Sequence, residues 1–207
     1  MSIRYIRNTI QVYIVLFDSK NTCIDLPATS AMVLPVFTPL LTMQPLCTGQ
    51  RKTGETRAFY PRDTLPPDEL CLCVSGIIFL GDSVLLTQNQ RGWEIPGGHR
   101  EPGEDIEETF VREMQEEIGT DPSSITYRRR GVREVSLPRP IPNRTGGFYP
   151  PTYYLVQYIG ITTRQPTQPT GEEIIGSKGF TRTEIKNSDL KVRELLLYAF
   201  KLRESFD

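Results

Sequence analysis

Residues 98–120 contain the side chains best suited to chemistry in this chain. Three glutamates, Glu113, Glu116 and Glu117, follow closely after a glycine-rich stretch. Residues three and four apart on a helix are neighbours, and like charges at that spacing repel. A helical turn would place all three carboxylates within an arc of about 100°. Hard divalent cations prefer oxygen ligands, so the spacing predicts a metal site with these three glutamates as ligands.

The flanking residues predict the helix that must carry the glutamates. Glu104 and Asp105 would begin it, where the helix dipole favours acids, and Gly119 would end it. An apolar stripe follows one side of the predicted helix: Ile106, Phe110, Val111, Met114 and Ile118. The three glutamates lie beside this stripe, so we expect them at the rim of a packed surface. Glu107 and Glu108 are instead expected on the solvated face.

The same stretch resembles the 23-residue signature of the Nudix hydrolases. The fixed positions of that signature are occupied by Gly98, Glu104, Arg112, Glu113, Met114, Glu116, Glu117 and Gly119. Thr120 stands where an aliphatic residue is usual, which bears on packing rather than on the acids. Trp93 to Gly97 resembles the usual lead-in, and the resemblance covers about Cys71 to Leu202.

The resemblance implies an α/β fold, the Nudix-type α/β/α sandwich with a mixed β-sheet. It implies a hydrolase of phosphorus-containing anhydrides that uses Mg²⁺, with Mn²⁺ as a substitute. The Gly97 carbonyl would join the glutamates in the metal shell, and Arg112 would hold one of the acids. Glu104 is expected to support the loop. A further acid from a downstream loop would be Glu173 or its neighbour Glu172, with only one facing the metals.

Length and charge bound the organisation of the chain. Its 207 residues predict a Nudix domain over 69–207 and an N-terminal extension of uncertain structure over 1–68. With a net charge of −1, the chain has no overall positive potential that would attract nucleic acid. The basic run 128–130 is expected to be a solvated strand edge. The apolar runs 10–17, which suits a strand, and 32–43 are shorter than the roughly 20 residues of a membrane span. A signal peptide is rejected because the first run is short, Asp18 follows it at once and no clear cleavage site appears; a loosely docked extension is expected, with a mitochondrial presequence as the second choice.

The histidine and cysteine content narrows the chemistry further. His99 is the only histidine, which excludes histidine-based triads elsewhere. The four cysteines (Cys23, Cys47, Cys71 and Cys73) show no zinc spacing and suggest thiols in a reducing, cytoplasmic compartment. Chemistry here must therefore rest on carboxylates.

Periodicity beyond residue 70 predicts a regular succession of strands. Expected strands are 71–80, 83–87, 125–135, a central strand at 152–160, and a short one near Phe180. The proline- and glycine-rich segment 138–151 is expected to be a loop bordering a pocket. Ser188 and Asp189 are predicted to cap a final helix with Leu190, Leu195, Leu196, Phe200 and Leu202 on its apolar side.

These features predict a Mg²⁺-dependent pyrophosphohydrolase that cleaves a nucleoside diphosphate linked to another group. Nucleoside triphosphates rank first because the lead-in resembles MutT-like enzymes, and ADP-ribose-like sugars rank second because of Pro138. Two alternatives stay open: a non-catalytic nucleotide-binding module, and an enzyme that processes RNA caps or RNA 5′ ends. The expected partner is a nucleotide-type small molecule, without membrane or a strong nucleic-acid signal, and a homodimer is an option.

Overall fold

The computed structural model describes residues 2–8, 11–17, 44–51, 53–143 and 146–203. The chain divides into two compact units, Met1–Thr42 and Met43–Asp207. The first contains an antiparallel hairpin of β1 (Ser2–Asn8) and β2 (Gln11–Phe17). This confirms the strand predicted at 10–17 from Gln11 onward, whereas the apolar run 32–43 lies outside the described residues.

The second unit is built on one mixed sheet. Its strands are β3 (Cys47–Gln50), β4 (Thr56–Tyr60), β5 (Cys71–Leu80), β6 (Ser83–Asn89), β7 (Gly92–Glu94), β8 (Ile125–Ser136), β9 (Thr152–Thr162) and β10 (Gly176–Thr181). Their order is β10-β6-β5-β9-β8-β4-β3, with β7 paired to β6. The β5–β9 pair is parallel, whereas the other pairs are antiparallel. The prediction of a mixed sheet with residues 152–160 at its centre is confirmed.

The helix predicted from the glutamate-rich stretch covers one face of this sheet. It is α1 (Ile106–Ile118), and its buried side includes Phe110 and Met114. Phe110 stacks on Tyr158 of β9 with ring centroids 4.4 Å apart. Gly76 makes room for the helix, since a Cβ there would lie 2.5 Å from the Met114 sulfur. The close approach of α1 to β5 therefore depends on the absence of a side chain at residue 76.

The opposite face is covered by the last helix of the chain. A short helix α2 (Arg182–Lys186) comes first, followed by α3 (Arg193–Arg203). Successive strand residues face opposite sides, so Ile77 and Phe79 face away from α1. They pack in a core cluster with Leu196 and Phe200 of α3. Helices on both sides of the sheet confirm the predicted α/β/α sandwich.

The sheet begins upstream of residue 69, where the sequence placed the start of the domain. β4 pairs with β8 along five residues, and β3 pairs with β4. Phe59 of β4 is fully buried in the α3 core cluster. Both strands are short and separated from the regular part of the chain, which is why their periodicity was too weak a signal to place them.

The final helix begins later than the sequence predicts. α2, which was not predicted, is capped by Asn187, and the Ser188 hydroxyl donates back to the Ile185 carbonyl at 2.7 Å. The chain then turns before α3 starts at Arg193. The predicted apolar side is correct: Leu195, Leu196 and Phe200 are buried, and Leu190 and Leu202 pack against the same cluster.

Candidate metal-binding active site

The glycine-rich loop before α1 runs beside the first half of β5. The amides of Val74, Gly76 and Arg100 form hydrogen bonds of 2.9 Å with the carbonyls of Gly98, Pro96 and Leu72, respectively. Gly97 has a φ of +148°, and a Cβ there would overlap the Val74 carbonyl oxygen. Only glycine fits this approach, so the loop is held at a fixed place along the sheet.

Both ends of α1 are fixed by local hydrogen bonds. The Asp105 carboxylate accepts from the amides of Glu107 and Glu108, and Glu108 accepts in return from the Asp105 amide at 2.8 Å. This reciprocal capping box begins the helix. Gly119, with φ +61°, ends it in the left-handed region. Glu107 and Glu108 are exposed as expected, although Glu108 also caps the helix, a role that was not predicted.

Two of the three predicted metal ligands converge on the glycine pair. A Cβ on Gly98 would overlap Oε1 of Glu113, so the buried Glu113 carboxylate sits directly against this residue. The Gly97 amide donates to Glu117 Oε2 at 2.8 Å. The Glu116 side chain, in contrast, is 44% exposed. The structure thus brings Glu113 and Glu117 together at the loop and leaves Glu116 nearer to solvent.

The protonation of these carboxylates responds to burial. Loss of hydration raises the pKa of Glu113 and raises the pKa of Glu117 to about 7. The negative charges of Glu113 and Glu94 raise the pKa of Glu117 further, while the Gly97 amide lowers it. Burial and the neighbouring carboxylates therefore disfavour the charged forms of Glu113 and Glu117, and a bound cation would offset that cost.

Arg112 makes the anchoring contacts that the sequence predicts for it. Its Nε atom lies 2.6 Å from Glu104, and its Nη1 atom lies 2.9 Å from Glu113 and 3.2 Å from Glu116. Its Nη2 atom donates to the His99 carbonyl at 3.0 Å. Hydrogen bonds from Arg112 hold the pKa of Glu104 at about 2. Arg112 thereby ties the helix to the loop through charged hydrogen bonds.

The donor set fits a hard cation in chemical type. In the part of the chain that the structure describes, no three acidic, histidine or cysteine side chains enclose a common point. The reason is visible in the contacts: Glu113 and Glu116 share Arg112, whereas Glu117 faces the Gly97 amide. All three candidate side chains supply carboxylate oxygens, which suit Mg²⁺ or Mn²⁺. The chemistry of the donors supports the predicted metal, and its geometry remains a prediction.

The predicted downstream acids lie on a loop that is bonded to the end of α1. The amides of Thr170 and Gly171 donate to the Glu116 carbonyl at 2.9 and 3.0 Å. Glu172 and Glu173 follow at once in a turn, and both are exposed. The fold thus brings the loop to the helix that carries the glutamates. A role for Glu173 in the reaction stays a prediction.

Glu94 also contributes to the electrostatics of the site, although the sequence did not single it out. Its negative charge raises the pKa of Glu117, and its own carboxylate accepts from Asn89 and Arg91 at 3.0 and 3.1 Å. The signal was available, because Glu94 stands inside the lead-in to the glycine pair. Pairing of β6 with β7 sets Glu94 opposite Thr87, and this position brings its negative charge close enough to raise the pKa of Glu117.

Comparison with known proteins identifies the family. A family model described as the NUDIX domain matches residues 70–198, well over half of the chain. The chain belongs to the Nudix family. This confirms the family that the resemblance in the sequence indicated. Among the described residues, none of the helices could span a membrane.

Two similar proteins illustrate the relationships of this Nudix domain. The m7GpppN-mRNA hydrolase NUDT17 of Xenopus laevis is 29% identical over 102 residues, which are 46% of this chain and 33% of that protein. The chain thus spans about a third of the length of this curated relative. A mutant form of the Bacillus subtilis pyrophosphohydrolase BsRppH superposes with a TM-score of 0.57 at 23% identity, covering 77% of this chain and 97% of that one. This likeness confirms the fold.

Proposed function

We propose that this Nudix protein is a Mg²⁺-dependent pyrophosphohydrolase that cleaves a nucleoside diphosphate linked to another group. Nucleoside triphosphates are the favoured substrates and ADP-ribose-like sugars the second choice. One observation carries the proposal: Glu113 and Glu117 lie together against the Gly97–Gly98 pair, with raised pKa values. An acidic cluster of this kind is stabilised by a cation, and that cation would in turn attract a diphosphate.

Metal binding is assigned to Glu113, Glu116, Glu117 and the Gly97 carbonyl. A bound Mg²⁺ neutralises charge that develops on a diphosphate and lowers the pKa of a bound water. Arg112 orients Glu113 and Glu116 through its Nη1 atom, so that both carboxylates keep fixed positions relative to the loop. Glu104 in turn holds Arg112 in place at 2.6 Å.

The base that accepts the proton of the attacking water is proposed to be Glu173, with Glu172 as the alternative. Supporting this, their loop is bonded to the Glu116 carbonyl through Thr170 and Gly171. Adjacent residues point in different directions, so one of the two acids would face the site. Substituting each with glutamine should give one enzyme with reduced kcat and one with nearly normal kcat. Two unimpaired variants would remove both from the mechanism.

A substrate panel with chelation tests the proposed function. Nucleoside triphosphates, ADP-ribose and capped RNA would be incubated with Mg²⁺, and the released products would be quantified. Glu116→Gln and Glu117→Gln should each lower turnover on the order of a hundredfold, as is typical when a charge-stabilising group is lost. Glu107→Gln, on the exposed side of the same helix, serves as the matched control. Full activity in excess EDTA would refute the metal-dependent mechanism.

The panel also separates the remaining alternatives. Turnover of capped or 5′-triphosphorylated RNA without turnover of free nucleotides would favour RNA 5′-end processing, for which the similarity to NUDT17 is the support. Binding without turnover of any substrate would favour the non-catalytic module, against which the complete set of three glutamates argues.

The free thiols of Cys47, Cys71 and Cys73 support the proposed reducing, cytoplasmic compartment.

A further inference from the structure

A buried polar cluster lies on the sheet face opposite α1. Ser75 of β5 and Gln157 of β9 are register partners, and the Ser75 hydroxyl donates to Gln157 Oε1 at 2.7 Å. Arg133 of β8 donates to the same oxygen through its Nη2 atom at 3.0 Å. The Gln157 amide nitrogen donates to the carbonyls of Ser75 and Tyr158. Gln157 is therefore fixed by its neighbours, and it in turn fixes the Arg133 guanidinium.

No carboxylate in the described part of the chain forms an ion pair with the buried charge of Arg133. The residue is only 8% exposed. Glu55, the buried carboxylate just before β4, is paired with Arg57 and Arg51. Burial, together with the positive charges of Arg57 and Arg51, lowers the pKa of Arg133 to about 10. A buried charge without a counterion is costly, so this arrangement is suited to an anion.

The cluster begins beside the proposed metal site. A Cβ on Gly97 would lie 2.6 Å from the Ser75 Cα atom, so this loop residue borders β5 where the cluster starts. From the loop, Ser75, Gln157 and Arg133 follow on successive strands of the sheet. Adjacent strands are about 4.8 Å apart, and the guanidinium reaches back to Gln157, so it lies roughly 10 Å from the loop. A nucleotide with its phosphates can span that separation.

We propose that Arg133 binds a phosphate oxyanion of the substrate at a position remote from the bond that is cleaved. This inference rests on the proposed function, because it takes the Gly97–Gly98 loop as the place of cleavage. Arg133 offers a planar fork of donors, which matches phosphate geometry better than an ammonium group does. Held by Gln157, the guanidinium is oriented before the ligand arrives, so little entropy is lost on binding.

A purely structural role for Arg133 makes the opposite prediction for stability. If Arg133 served only to hold Gln157, Arg133→Met would lower the melting temperature and leave ligand binding unchanged. If Arg133 is an anion receptor, removing an uncompensated buried charge should leave the melting temperature of the free protein equal or higher. The same substitution should abolish stabilisation by a phosphate ligand.

The experiment uses the full chain with ADP as the probe, in excess EDTA so that no metal contributes. Melting temperature is measured with and without ADP for the wild type, Arg133→Met, Arg133→Lys and the control Arg129→Met. Arg129 is an exposed arginine of the same strand, paired with Tyr158 on the α1 face. We expect ADP to stabilise the wild type and the control. Arg133→Met should bind ADP about 10- to 100-fold more weakly, the range for loss of a charged hydrogen bond.

The remaining outcomes each decide the proposal. Unchanged ADP affinity in Arg133→Met would overturn it, whatever the melting temperature. If Arg133→Met does not fold, Arg133→Lys decides: weaker ADP binding with a near-normal melting temperature supports the proposal, and unchanged binding overturns it. Because ADP binding is measured without turnover, a failure of the proposed hydrolase activity would be recognised separately in the substrate panel. If the wild type is active and Arg133→Met leaves KM unaltered, the anion-receptor proposal would be refuted while the proposed hydrolase function would stand.

Discussion

Replacing Arg112 with methionine should destabilise the domain by about 3 kcal/mol at pH 7. The pKa of Glu104 is lowered from 4.5 to about 2 in the folded protein, first of all by the hydrogen bond from Arg112. That lowering, to which the Glu101 amide and the Thr109 hydroxyl also contribute, corresponds to at most about 3 kcal/mol of linked stability. Methionine would also leave the buried Glu113 without its ion pair. Breaking a buried pair by removing one partner costs a similar amount, about 3–5 kcal/mol.

Urea denaturation followed by the fluorescence of Trp93 measures this loss. The matched control is Arg164→Met, because Arg164 contacts Asp121 at 2.7 Å but the two side chains are 68% and 47% exposed. Arg112 and Glu104 approach to 2.6 Å with 22% and 18% exposed. Screening by water should limit the control to under about 1 kcal/mol. Equal losses in the two variants would refute the argument that burial gives the Arg112 contacts their strength.

The pH dependence provides an internal check on the same reasoning. The pKa of Glu104 is lower in the folded protein than its ordinary value. Its contribution to the free energy of unfolding is therefore present above about pH 4.5 and is lost as the pH falls towards 2. The difference between the wild type and Arg112→Met should therefore shrink over this range. Adding Glu104→Gln to Arg112→Met should recover part of the stability at pH 7, since one uncompensated carboxylate is removed. A constant difference from pH 7 to pH 3 would contradict the assignment to Glu104.

Burial and close packing also predict the results of three other perturbations. The pKa of Glu117 is raised in the folded protein. In excess chelator its contribution to the free energy of unfolding should therefore be fully present below about pH 4.5 and be lost as the pH rises through about 7. Thermal melts should show this slope, and Glu117→Gln should reduce it, leaving the part that comes from the raised pKa of Glu113. Removal of residues 1–42 should leave a folded domain, whereas removal of residues 1–61 should destabilise it because β3, β4 and the buried Phe59 are lost. Equal melting temperatures of the two truncations would contradict this. Gly98→Ala places a Cβ against the Glu113 carboxylate, so kcat should fall at least about tenfold with a much smaller effect on stability. An unaltered kcat would show that the Glu113 position is not required.

Local signals made most of the second unit predictable from the sequence. Gly119 and Asp105 act through backbone conformations and hydrogen bonds within a few residues, so the ends of α1 could be predicted. An apolar run that ends at turn-forming residues predicted β5, and alternating aromatic and β-branched residues predicted β9. The misplaced start of the final helix has a local cause too: the Ser188 hydroxyl donates back to the Ile185 carbonyl and accepts from the Leu190 amide, which places Ser188 in the turn between α2 and α3.

Contacts between residues far apart in the chain account for what the sequence could not predict. Spacing identified Glu113, Glu116 and Glu117, but only the path of the Gly97–Gly98 loop beside β5 draws two of them inward and leaves the third nearer to solvent. That burial sets their pKa values, because hydration is lost through contacts with a loop some 20 residues away in sequence. The buried charge of Arg133 had no sequence signal at all. It becomes visible only when pairing of β8, β9 and β5 brings Arg133 to Gln157 and Ser75, since isolation of a charge is a property of its surroundings and not of its own residue type.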